Sequence, residues 1–155
     1  MSSHTFRFAL AAALAAVAAV SLPAGALATP PEPVAIELHG SLTGPASIAG
    51  TWVSTGAVSD AGTYVESFEI RGRTVHVTKT LTGSAGTIVI AAEAVVEFTS
   101  ATTARFVAGH WRVVSGTGAY ASLHGEGAPA AVSGYVDLAA GTIELLHEGV
   151  AHVDP

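Results

Sequence analysis

Glu66 and Lys79 each fall on the apolar side of their own segment. Along 63–70, Glu66 shares a face with Tyr64, Phe68 and Ile70, and along 74–82, Lys79 shares a face with Val75, Val77 and Leu81. A two-residue turn at Arg71-Gly72 would pair Ile70 with Arg73. Glu66 would then face Val77 and Tyr64 would face Lys79, making Glu66 and Lys79 diagonal neighbours within side-chain reach. A charge on an apolar face must be paired or it neutralises. The pair reads either as an ion pair at a barrel mouth or as a polar anchor in an apolar pocket. Trp111 falls on the inward face of the 104–114 segment and His147 on that of 142–153. The candidate ligand-binding residues are therefore Tyr64, Glu66, Phe68, Lys79, Trp111 and His147. In an enzyme, Glu66, Lys79, Tyr64 and His147 would serve as acid–base groups. No set of nucleophile, base and orienting group is visible, so no catalytic residue is assigned.

Other chemistries are excluded on residue type. The chain has no cysteine, so it has no disulfide, zinc finger, iron–sulfur ligation or thiol nucleophile. It has no asparagine, so N-glycosylation is excluded. His147, Glu148 and His152 do not form H-E-x-x-H, and on a strand the two rings face opposite ways. No other histidine pair has ligand spacing, so no metal is expected. Gly116-Thr117-Gly118-Ala119-Tyr120-Ala121 fits G-x-G-x-x-A, with Asp137 about twenty residues on. That fingerprint needs a helix after the glycines. Gly125, Gly127 and Pro129 stop one, so no cofactor is expected.

The elements that must position these residues are strands. No helical period is sustained after residue 33, and β-rich runs alternate with turn clusters. Eight runs are predicted: 34–42, 47–58, 63–70, 74–82, 87–98, 104–114, 124–137 and 142–153. The links are mostly short enough for hairpins. The expected fold class is all-β, an eight-stranded antiparallel up-and-down barrel. Alternation turns Ile36 and Leu38, Ile88 and Ile90, and Ile143 and Leu145 inward. Val107, Gly109, Trp111 and Val113 are also expected inside. Val89, Ala91, Val95, Phe106 and Ala108 are expected outside as a shared apolar patch, which suggests a homo-oligomer. The facing of Trp52 depends on whether the Asp60-Ala61-Gly62 turn uses two residues or three.

Gly116 to Gly125 reads G-[TS]-G-x-aromatic-x-x-apolar-x-G. This resembles the signature before a late barrel strand in the allene oxide cyclase and dirigent families, which are calycin-like eight-stranded antiparallel barrels. The chain is also similar to small secreted bacterial proteins with that barrel, through Thr78–Ser84 and Trp111–Gly116. The motif covers about ten residues and reads as structural: a tight turn at Gly116 and Gly118, with Tyr120 and Leu123 capping the barrel end. No catalytic residue of the plant enzymes can be placed on this chain, so their activities are not carried over.

The N-terminus reads as an export signal. Arg7 precedes the apolar run Phe8–Leu22, Pro23 and Gly25 break it, and Ala26-Leu27-Ala28 is a small-x-small cleavage site. The expected organisation is a signal peptide over 1–28, a Pro-rich leader over 29–33 and a barrel domain over 34–155. The expected location is extracellular. Loss of Arg7 makes the formal net charge of −6 one unit more negative, so no nucleic-acid partner is expected. No membrane association is expected after cleavage. The function that follows is a secreted barrel binding a small hydrophobic or aromatic molecule. A cyclase or isomerase of the allene oxide cyclase kind, and a surface-interaction module with a filled barrel, stand as alternatives.

Overall fold

A computed structural model describes residues 29–155. The predicted signal segment, 1–28, lies outside the described residues. Eight strands follow in order: β1 (Glu32–Gly44), β2 (Ser47–Gly56), β3 (Asp60–Arg71), β4 (Thr74–Gly83), β5 (Thr87–Phe98), β6 (Thr103–Gly116), β7 (Leu123–Asp137) and β8 (Thr142–Val153). Each pairs antiparallel with the next, and β8 pairs back on β1, closing the barrel. Closure leaves no free sheet edge, which suits a chain with no disulfide to hold it. β1 begins at Glu32, so Glu32 and Pro33 of the expected leader pair with Ala151 and Val150 of β8.

The two ends of the barrel differ. At one end the turns are tied together by Asp60. Its Oδ1 accepts from Ser84 Oγ at 2.8 Å and from the Ala61 amide at 2.8 Å. Its Oδ2 accepts from Tyr120 Oη at 2.8 Å and from the Ala85 amide at 3.2 Å. One carboxylate thus joins the start of β3, the β4–β5 turn and a single 3-10 turn at Gly118–Tyr120. Gly118 has φ 63°, which favours glycine, and a Cβ there would strike the Ala85 carbonyl. The G-x-G-x-x-A segment therefore plugs the barrel rather than opening a helix. The other end, at the β1–β2, β3–β4, β5–β6 and β7–β8 turns, stays open.

Inside the closed half, aromatic rings fill glycine gaps. Trp111 lies over Gly125, Gly127 and Gly149 of β7 and β8, and its Nε1 donates to the Glu148 carbonyl at 2.8 Å. Trp52 is buried against Gly83, with Nε1 donating to the Thr82 carbonyl at 3.3 Å. Tyr64 reaches Gly40 of β1, where a Cβ would strike its hydroxyl. Small wall residues here make room for large neighbours, so this half is packed.

Two registers differ from expectation. The β3–β4 turn uses Gly72-Arg73, not Arg71-Gly72, with Gly72 at φ 65°. Arg71 pairs with Thr74, which brings Glu66 directly opposite Lys79 and Tyr64 opposite Leu81. β6 bulges between Phe106 and Gly109, with Ala108 at φ 50°. The extra residue reverses facing below it. Phe106 therefore packs on the core and lines the interior, correcting its expected outward position. Trp52 faces inward because Ser54 pairs with Asp60, making the β2–β3 link longer than a two- or three-residue turn.

Candidate functional site

Glu66, Lys79 and His147 form a polar floor across the bore. β4 and β8 lie on opposite sides of the closed barrel, and Lys79 spans the interior between them. Its Nζ lies 3.1 Å from Glu66 Oε2 on the neighbouring strand and 3.1 Å from His147 Nε2 on the far wall. All three residues are buried. Burial lowers the Lys79 pKa, and the attraction of Glu66 opposes that shift without overcoming it. Burial, with the Lys79 charge added, holds His147 well below the ordinary imidazole range, so it is neutral. A neutral ring that accepts at Nε2 carries its proton at Nδ1. Among the described residues, His147 Nδ1, Glu66 Oε2 and Tyr64 Oη have no directed hydrogen bond, although Oε2 is close to the Lys79 ammonium.

Above this floor is a cavity of about 140 Å³ that opens at the untied end. Its wall is apolar, built largely by Phe68, Val77, Ala92, Ala94, Phe106 and Val132. Alanines at 92 and 94 leave space where larger inward residues would fill the bore. Ile70, Phe98 and Leu138 stand exposed at the rim. The fold and site together define a closed antiparallel barrel that is packed at one end and hollow at the other.

Of the candidate residues, Glu66, Phe68, Lys79 and His147 line this cavity. Tyr64 and Trp111 do not. Both are buried below the floor, with Trp111 6.2 Å from the His147 ring between centroids. Burial, then the charge of Glu66, raises the Tyr64 pKa, so its phenol stays protonated. Sequence reasoning missed Phe106 as a wall residue, because alternation alone carries no sign of a bulge at Ala108.

Among the described residues, the remaining histidines lie on the outer wall. His76 Nδ1 lies 3.0 Å from Glu93 Oε1. His124 and His152 stack at 5.2 Å, and both reach Asp154. Among the described residues, no group of three or more His, Asp or Glu side chains is arranged to hold a metal ion.

Comparison with protein-family models, with curated proteins and with solved structures finds no match to this chain. The geometry of the barrel and its cavity therefore carries the functional reading.

Proposed function

We propose that this protein is a secreted barrel that binds a small apolar molecule through its open end. The observation that carries this reading is the apolar cavity of about 140 Å³ ending on the Glu66–Lys79–His147 floor. Small-molecule sites combine an apolar wall with a few polar groups that fix orientation. A dry apolar cavity of about 150 Å³ accommodates a benzene-sized ligand. The fitting ligand is accordingly one ring or a short alkyl chain, and a longer tail would emerge past Ile70, Phe98 and Leu138. The resemblance of Gly116–Gly125 to the allene oxide cyclase and dirigent signature agrees with a ligand-holding barrel.

The test is ligand binding by two-dimensional NMR, using short alcohols and alkylbenzenes against labelled protein. Shifts confined to Val77, Ala92, Ala94 and Val132 are expected. No shift at any cavity residue at millimolar ligand would overturn the reading. The outward patch proposed as an oligomer contact loses Phe106 and retains Val89, Ala91, Val95 and Ala108. Light scattering decides whether that patch still joins two copies.

A further inference from the structure

The chain contains one lysine and five arginines. The four arginines among the described residues, at 71, 73, 105 and 112, are all exposed. Among the described residues, that lysine is the one buried Lys or Arg side chain, at 1% relative exposure. Arginine holds its proton under all ordinary conditions, whereas a buried lysine releases one readily and becomes a nucleophile. Its two neighbours suit that change. His147 Nε2, 3.1 Å away, belongs to a neutral ring that orients Lys79 without adding a second counter-charge. Glu66 Oε2, also 3.1 Å away, is a carboxylate oxygen placed to take the proton.

We propose that Lys79 is a covalent capture site for small apolar aldehydes or ketones, forming an imine at the floor of the cavity. The inference rests on the ligand-binding reading of that cavity. The ligand class follows from charge. The apolar wall cannot solvate an ion, and Lys79 and Glu66 already neutralise one another, so an incoming carboxylate would be an unpaired charge. A neutral carbonyl on a short apolar body brings none.

The steps balance without an external oxidant or reductant. The Lys79 ammonium passes a proton to Glu66 Oε2. The free amine attacks the carbonyl carbon, forming the C–N bond, and the π pair moves to oxygen. That oxygen is protonated from the Glu66 carboxyl, giving a carbinolamine protonated on nitrogen. A second nitrogen proton follows to the same oxygen by way of Glu66, the C–O bond breaks and water leaves. The sum is ammonium plus carbonyl giving protonated imine plus water. The product keeps one positive charge, so Glu66 ends as a carboxylate beside a cation.

The experiment incubates the folded protein, as obtained after any export processing, with hexanal and sodium cyanoborohydride at neutral pH, then maps adducts by peptide mass spectrometry. The folded protein should carry on the order of tenfold more hexyl adduct at Lys79 than the urea-unfolded chain does. Lys79→Arg should carry none beyond the N-terminal amine. Ala94→Leu, which keeps the lysine and narrows the cavity, should lose most of the Lys79 adduct. Hexan-1-ol, which cannot form an imine, separates the two readings by NMR. If hexanol shifts the cavity residues but Lys79 gains no adduct, or reacts no faster than in the unfolded chain, covalent capture is overturned and the binding reading stands. If hexanol does not bind, both fall.

Discussion

Glu66 and Lys79 face one another directly across β3 and β4, with Oε2 and Nζ 3.1 Å apart and both side chains out of solvent. Breaking a buried pair from one side leaves an uncompensated charge. Glu66→Gln should therefore destabilise the barrel by about 3–5 kcal/mol in urea denaturation. Glu66→Gln with Lys79→Met removes both charges and should recover much of that loss. A single variant within about 0.5 kcal/mol of the original, the range of an ordinary surface change, would show that the pair is not a structural unit.

Ala92→Leu adds volume into the cavity. Overpacking costs about 1–3 kcal/mol, so the protein should still fold. Binding of short alcohols should be lost in a titration followed by NMR. Retained affinity would place the ligand outside the bore.

His147 makes the barrel acid-sensitive. Its folded pKa lies well below the unfolded value of about 6.5. The unfolded state then binds the extra proton, so this contribution is present above about pH 6.5 and is lost as pH falls towards the folded pKa. His147→Gln should flatten the fall in melting temperature between about pH 7 and 5. Parallel curves for the two proteins would show that His147 does not carry the effect.

Asp60 acts in a lower range. Its bond from Tyr120, with those from Ala61 and Ser84, holds its carboxyl below the usual carboxylate pKa. The same contact and burial push Tyr120 up to about 12, burial contributing most. Stability from Asp60 is present above its unfolded pKa, about 3.9, and is lost as pH falls further. Tyr120→Phe should lower the melting temperature at pH 7, and the gap should close in strong acid. A constant gap across pH would assign the loss to ring packing alone.

Tyr64 has a buried hydroxyl with no hydrogen-bond partner among the described residues. Tyr64→Phe should be neutral or stabilising, because an unsatisfied polar group costs about 1–3 kcal/mol. Gly40→Ala should destabilise by colliding with that hydroxyl and with Ile48, and Tyr64→Phe should partly rescue it. A large loss in Tyr64→Phe alone would reveal a partner bound to the oxygen.

The eight strands were legible from period-two alternation and turn residues, because a half-buried strand writes its facing into its own sequence. Most inward positions, including Glu66, Lys79, Trp111 and His147, follow from that rule. The sequence alone therefore determined the strands, their order and the presence of charge on an apolar face. Contacts across the bore lay beyond it. Lys79 and His147 are 68 residues apart, and only closure of β8 onto β1 brings β8 opposite β4. A one-residue change of turn moved Glu66 from a diagonal to a direct partner. The bulge at Ala108 turned Phe106 into the wall, and alanine gives no local sign of a left-handed backbone. Facing is a local property of the chain, whereas register, closure and cavity depth depend on how all eight strands fit together, and the tertiary structure decided those.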